Sequence, residues 1–158
     1  MWLDNAHLGE CSVDRHDALA GQHGTWTFTW EHGRQLASMS NGTYTYTYTY
    51  DPNGLRTSKT IQGVYRRFYY AGDKLIRETW GSRIANYFYD GNGELYAMEY
   101  DGEMYYYVKN LQGDVVKMLD SDGNVAASYS YDAYGRGIAS SGPMAGVNSF
   151  RYRGYYYD

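Results

Sequence analysis

Residues 40–56, SNGTYTYTYTYDPNGLR, decide how this chain folds. Four threonines alternate with four tyrosines between an Asn-Gly and an Asp-Pro-Asn-Gly. Alternation with a period of two places successive side chains on opposite faces of a β-strand. One face of that strand is hydroxyl-bearing and the other is entirely aromatic. Two questions follow: why a whole face is tyrosine rather than valine or leucine, and what such a surface does.

Composition carries the same pattern outward. The 158 residues include 21 Tyr and 19 Gly against two Pro, and the formal net charge is −4. A mean hydropathy of −0.68 shows tyrosine and threonine supplying the bulk that leucine and isoleucine usually supply. Such a chain reads as all-β with many turns, and at this length it can bury about 68–70% of its unfolded surface in one domain of ordinary size. The acidic balance argues against a nucleic-acid backbone as partner, because that binding needs clustered Lys and Arg. Cys11 is the only cysteine and excludes an intramolecular disulfide framework. No run of some 18 apolar residues is present to span a membrane, and the opening MWLDNAHLGECSVD lacks the basic-then-apolar pattern of a secretory signal.

Internal repetition organises the rest. An aromatic residue followed by a Gly-containing turn recurs at Trp30-Glu31-His32-Gly33, Tyr50-Asp51-Pro52-Asn53-Gly54, Tyr70-Ala71-Gly72-Asp73, Tyr89-Asp90-Gly91-Asn92-Gly93 and Tyr131-Asp132-Ala133-Tyr134-Gly135. The leading aromatics lie 20, 20, 19 and 42 residues apart. The last interval holds two periods, with VKNLQGDV (108–115, containing Gly113) as the degenerate turn between them. A second set, Asn41-Gly42, Gln62-Gly63, Gly81-Ser82, Asp101-Gly102 and Asp122-Gly123, falls between these and reads as tight type I′ hairpin turns. Each period is strand, tight turn, strand, wider turn. Strands are expected over 34–40, 43–50, 55–61, 64–70, 74–80, 83–89, 94–100, 103–109, 114–119, 124–131 and 136–140.

The turn chemistry explains the recurrent Tyr-Asp. An aspartate opening a turn accepts a backbone N–H two residues on, and the later glycine takes the left-handed conformation. Asp51, Asp90 and Asp132, with Gly54, Gly93, Gly113 and Gly135, are therefore turn-closing residues rather than acid/base catalysts. Stepping back two from the pre-turn aromatics gives Phe28, Tyr48, Phe68, Tyr87 and Tyr129 on one face. Trp30, Tyr48, Tyr50, Phe68, Tyr70, Tyr87, Tyr89, Tyr129 and Tyr131 thus form aromatic rows, worth about 0.2–1 kcal/mol per cross-strand pair. Tyrosine suits a single sheet with no partner layer, since its ring tolerates partial wetting.

Other constellations favour bland readings. His7, Cys11, His16 and His23, near Asp4, Asp14 and Asp17, match no zinc spacing. Asp120-Ser121-Asp122-Gly123-Asn124 opens like a calcium loop, but its glycine comes early and Tyr131 stands where a bidentate Glu is needed; a hairpin turn is the better reading. Arg66-Arg67 and Arg151 with Arg153 alternate with aromatics and suit cation–π packing within the sheet, or contact with a sugar or phosphate. No catalytic triad, phosphate loop, metal or cofactor site is assembled by local spacing.

The Tyr-Asp-x-x-Gly units, the segment YYYVKNLQGDVVKMLDSDGNVAASYSYDAYGR (105–136) and the closing FRYRGYYYD (150–158) resemble the RHS/YD-repeat proteins and their RHS-associated core region. The resemblance covers nearly everything from about residue 25. It implies a strand-turn-strand ribbon spiralling into a hollow β-shell, which in polymorphic and Tc toxins encloses a variable C-terminal toxin and in the teneurins serves adhesion. It divides the chain into a loosely ordered lead-in (1–24), a YD/RHS repeat sheet (25–141) and the start of the core segment (142–158). Where many family members carry Tyr-His-x-Asp-His-Leu-Gly-Ser, this chain has Tyr107 through Asp114 without either histidine. The family core normally continues beyond the position of Asp158 to a self-cleavage site, so a truncated fragment is expected and no catalytic residue is carried over.

The function expected is therefore non-catalytic: shell wall, belonging to a secreted or cell-surface parent whose remaining repeats and toxin cargo are its partners. The alternative is a cell-wall or carbohydrate-binding module. GVYRRFYYAGDKLI and GEMYYYVKNLQGDVV are similar to the Gly-aromatic repeats of cell-wall and choline-binding proteins, whose exposed rings meet sugars or choline. An enzyme has no supporting residue set. A lone ribbon has two edges with unpaired backbone groups, and Thr43 to Tyr50 is flat, uncharged and proline-free, the kind of segment that pairs with copies of itself, so edge-to-edge self-association of the isolated chain is also expected.

Overall fold

The computed structural model describes residues 25–157 and the backbone of 10–12. The chain is an antiparallel all-β meander of YD-repeat hairpins, and it divides into two compact units that meet in sequence at Ser82 and Arg83. The first unit contains β1 (Glu10–Ser12), β2 (Thr25–Glu31), β3 (Gln35–Ser40), β4 (Thr45–Tyr50), β5 (Arg56–Ile61), β6 (Val64–Ala71) and β7 (Lys74–Trp80). The second contains β8 (Arg83–Tyr89), β9 (Leu95–Tyr100), β10 (Glu103–Lys109), β11 (Val115–Leu119), β12 (Val125–Tyr131) and β13 (Gly137–Ser141). In each unit the strand order follows the chain order. A short 3-10 turn, η1 (Tyr152–Gly154), follows β13 and is spanned by an antiparallel bridge between Phe150 and Tyr156. The lead-in, with His7, Cys11, His16, His23 and their neighbouring aspartates, lies outside the described residues apart from the β1 backbone.

The turns sort differently from their expected classes. Gln62-Gly63 and Asp101-Gly102 have positive φ at both positions, as type I′ demands. At Asn41-Gly42 only the glycine is left-handed, and Asn41 Oδ1 instead accepts the N–H groups of Thr43 and Tyr44 at 3.1 and 2.7 Å. Gly81-Ser82 is left-handed only at its first residue. Gly72-Asp73, expected to be wide, joins the directly paired Ala71 and Lys74 and is a two-residue turn. His32-Gly33 is likewise short, with φ of 49° and 75°. Asp122-Gly123, expected to be tight, sits inside a five-residue loop opened by Asp120, because that aspartate draws the turn wider.

A second departure recurs on the strand that returns from a turn. Thr49 pairs with Ser58 but Tyr50 pairs with Arg56, leaving Thr57 as an extra residue. The same one-residue bulge falls at Ala37, Ile76, Tyr96, Val116, Ala126 and Ile138. Each bulge breaks the alternation on the returning strand and adds local twist. Ile76, Tyr96 and Ile138 are consequently exposed although their neighbours two residues away are in pairing register.

β4 is an interior strand, paired to β3 on one side and β5 on the other. Thr45 to Tyr50 therefore presents no free edge, and self-pairing of the chain would have to use another strand. The first unit buries Trp26, Met39 and Tyr46, with Phe28, Leu36, Tyr44, Tyr48 and Ile61 packed against them. In the second unit Met98, Val115 and Met118 are fully buried, each worth about 1.5–3 kcal/mol of transfer free energy.

The aromatic face of the second unit is not bare. Residues 142–157 fold back over it, seating Phe150 edge-on against Tyr87 at 4.8 Å. This covering corrects the picture of a sheet without a partner layer: buried Tyr87 and Tyr129 are the floor of a small second core that includes Met144, Ala145 and Phe150.

Candidate functional site

The chemistry of this chain is concentrated where each hairpin meets the preceding one, at the wide turns. Asp51 Oδ1 accepts the N–H of Asn53 and of Leu55, both at 2.9 Å. Asp90 does the same for Asn92 and Glu94, and Asp132 for Tyr134 and Arg136. Asn110 takes that place in the degenerate turn, accepting from Gln112 and Asp114 at 3.0 and 2.9 Å. A side-chain amide oxygen supplies the same acceptor as a carboxylate, so the motif survives without its charge. The glycines closing these loops, Gly54, Gly93, Gly113 and Gly135, all lie near φ +81° to +86°. At Gly135 an added Cβ would also strike the Tyr152 ring at 2.5 Å.

These contacts set the electrostatics. The backbone N–H of Glu94 is the main cause holding the Asp90 carboxyl below its ordinary range. Asp120 is lowered chiefly by the Asn124 side-chain amide and then its backbone N–H. For Asp132 the leading cause is the backbone N–H of Arg136. All three carboxylates are charged hydrogen-bond acceptors engaged by the backbone, a state unsuited to taking up a proton in catalysis.

The tyrosine before the aspartate makes the longer-range contact. Tyr50 donates its hydroxyl to the Leu36 carbonyl at 3.1 Å, Tyr70 to Arg56 at 2.9 Å, and Tyr131 to Val115 at 2.8 Å. Each acceptor lies 14 to 16 residues earlier, at the start of the strand that follows the previous turn of the same kind. The hydroxyl thus ties one repeat to the last. Burial pushes the Tyr131 phenol far above its ordinary range, so the proton it donates stays in place. Phenylalanine nearly fills the same volume, and leucine or valine less of it, but none of them can make this bond. Lys109 occupies the tyrosine position of the degenerate unit, and its ammonium reaches Glu94 at 3.1 Å instead.

The remaining ring positions differ in their surroundings. Arg56 stands over both the Tyr48 and Phe68 rings, at 5.5 and 5.2 Å, and buried Lys59 lies 5.9 Å from Phe68. Tyr87 and Tyr129 are buried, Tyr89 is half-buried, and Trp30 is exposed, with 57% of its surface open. Arg66 stacks on Trp80 at 4.1 Å while bonding the fully buried Glu78 at 2.8 Å. Arg151 lies between the Tyr129 and Tyr157 rings, at 5.4 and 4.1 Å. Cation–π packing therefore accounts for Arg66 in one basic spot and Arg151 in the other.

Several residues that fasten residues 142–157 to the sheet carry no sequence signal of that role. Asn148 is almost fully buried. Its Oδ1 accepts the Tyr107 hydroxyl at 2.9 Å and the Phe150 N–H at 3.0 Å, while its Nδ2 donates to the Phe150 carbonyl. Asp114 Oδ1 accepts the N–H of Arg153, whose φ is +50°, and the Val115 N–H donates to the Arg151 carbonyl. Gly142, at φ +98°, abuts the Ala126 carbonyl so closely that any Cβ would overlap it. Among the described residues no group of three His, Cys, Asp or Glu side chains converges to hold a metal, and no helix is long and apolar enough to cross a membrane.

With this geometry in view, three comparisons bear on the chain. The Teneurin YD-shell family profile matches residues 19–158. A tRNA3(Ser)-specific nuclease WapA of Bacillus spizizenii is 33% identical over 147 residues, covering 85% of this chain. The tRNA nuclease WapA of Bacillus subtilis strain 168 is 32% identical over the same length. The chain spans 6% of the length of each of these relatives. Among solved structures, the crystal structure of TcdB2-TccC3-Cdc42 superposes with a TM-score of 0.65 over 91% of this chain and 8% of that one, at 16% identity. The Photorhabdus luminescens Tc holotoxin pore superposes at 0.59 over 84% of this chain and 8% of that one, at 15% identity. At such identities these structures establish a shared fold.

Proposed function

The chain belongs to the Teneurin YD-shell family of RHS/YD-repeat proteins, and from that premise we propose that it is shell wall: a non-catalytic stretch that, in a longer parent protein, helps enclose a C-terminal toxin or other polypeptide cargo. The observation that carries this reading is the repeat-to-repeat clasp, in which Tyr50, Tyr70 and Tyr131 each spend their hydroxyl on a backbone carbonyl of the preceding repeat. Groups committed in this way are building material. The carboxylates with shifted titration are likewise occupied as turn acceptors. The parent is secreted or cell-surface associated, and its other repeats and cargo are the partners of this stretch. The WapA relatives carry a nuclease activity in their names; on the reading proposed, that activity belongs to the rest of their length and not to the 6% that this chain spans.

Two measurements test the reading. The purified chain incubated with total tRNA is expected to leave it intact; cleavage that co-purifies with the chain would end the non-catalytic assignment. In the parent protein, cargo is expected to resist added protease and to become sensitive when Tyr70 and Tyr131 are both changed to Ala. Cargo digested in the unaltered parent as fast as free cargo would remove the enclosure.

A further inference from the structure

The face of β6 opposite Phe68 carries three consecutive outward side chains that the wall does not use. Tyr65 is 53% exposed, Arg67 is exposed, and Tyr69 is 37% exposed. Alternation along a strand sets them about 6.6–6.8 Å apart, so the two rings are separated by about 13 Å with the guanidinium between them. Arg67 lies over the Tyr69 ring at 5.1 Å. Directly across the sheet, Thr60 stands opposite Tyr65 on β5, while Thr79 stands opposite Arg67 and Arg77 opposite Tyr69 on β7. Beyond them the same face continues as hydroxyls: Thr49 bonds Ser58 at 2.7 Å, and Thr29 bonds Ser38 at 2.7 Å.

We infer that this Tyr65-Arg67-Tyr69 track is a binding surface for an acidic polysaccharide. Exposed tyrosine rings present flat apolar faces with a polar edge, which suits the CH-bearing face of a pyranose. A guanidinium pairs a carboxylate with charge-assisted hydrogen bonds, and the flanking threonines offer donors and acceptors to sugar hydroxyls. An extended single-stranded nucleic acid also uses rings and arginine, but it presents a phosphate at every residue and needs cations to match. The track sets Arg67 between two rings, with Arg77 and threonine hydroxyls beside them, on a chain of net charge −4, which fits a sugar polymer that offers hydroxyls as well as carboxylates rather than one held by its charge alone. The surface is independent of the shell reading, because none of its three residues takes part in the tyrosine clasp or the wide turns.

Affinity electrophoresis of the full chain through gels containing alginate, dextran or poly(U) tests the inference. Retardation is expected with alginate alone, weakening as salt rises. Arg67→Gln is expected to weaken it about tenfold, as loss of a charge-assisted bond does. Tyr65→Ala and Tyr69→Ala are each expected to weaken it several-fold. Tyr134→Ala, which removes a 94%-exposed ring of the other unit, is the control and leaves retardation unchanged. Circular dichroism of each variant confirms the fold, which these exposed positions do not support. No retardation by alginate, equal retardation by dextran, stronger retardation by poly(U), or an alginate effect that all variants share would each overturn the assignment.

Discussion

At the scale of single residues, hydroxyl and carboxylate acceptor chemistry explains the tyrosine-aspartate pairing, and both halves can be measured. Tyr70→Phe and Tyr131→Phe keep the ring and delete the bond to the Arg56 or Val115 carbonyl. Each is expected to lower unfolding free energy in urea by about 0.5–1.5 kcal/mol; no change would show that the hydroxyl only tolerates its position. The carboxylates give a pH signature. The folded values of Asp90, Asp120 and Asp132 lie below the ordinary one, near 3.9 for a free aspartate. Between the folded and unfolded values the unfolded chain binds more protons, so the stabilisation is complete above the unfolded value and is lost as pH falls through the folded one. Asn110 already performs the same closure without a charge. Asp90→Asn combined with Asp132→Asn is therefore expected to keep the fold at pH 7 and to flatten the acid limb of a stability curve below about pH 4. An unchanged acid limb would mean that other groups govern it.

At the scale of elements, the strands were legible because alternation and turn residues agree, and the bulges were not. Expected strands such as 64–70, 83–89 and 103–109 coincide with β6, β8 and β10 to within a residue. The extra residue at Thr57, Ile76 or Tyr96 has the same β-forming character as its neighbours, so nothing in the string marks it; only the strand pairing does. The same blindness applies to edges. TYTYTY looks like an aggregation-prone edge when read alone, whereas pairing on both sides makes β4 interior. The last strand, β13, pairs only with β12 among the described residues, and all five of its residues are exposed. Self-association of the isolated chain is expected there. Size-exclusion chromatography is expected to show concentration-dependent oligomers that Ile138→Lys disperses and Thr47→Lys does not; a monomer at all concentrations would count against it.

At the scale of the whole molecule, residues 142–157 cover the aromatic face of the second unit. Asn148 holds that segment through bonds to Tyr107 and Phe150 inside a buried pocket. Asn148→Ala is expected to cost about 1–3 kcal/mol, because the buried partners lose their bonds without gaining water. Ending the chain after Ser141 would uncover Tyr87, Met118 and Tyr129, with anilinonaphthalene sulfonate fluorescence rising and the unfolding transition broadening. Binding of the dye no greater than in the full chain would show that the segment is an ornament on a self-sufficient sheet.

The amino-acid sequence by itself determined the period, the all-β class, most strand limits from β3 onward and the closing role of each Tyr-Asp-x-x-Gly turn, while β2 (Thr25–Glu31) was not among the expected strands. Those depend on interactions within a few residues, where side-chain alternation and left-handed glycine act directly. Only the tertiary structure decided which carbonyl each tyrosine hydroxyl reaches, which strand is an edge, and that residues 142–157 lie over the rings of the second unit. Those outcomes depend on backbone groups, which are alike at every position, and on contacts between residues far apart in the chain, as for Tyr107 with Asn148 and Tyr87 with Phe150. A string of side chains holds no local record of either.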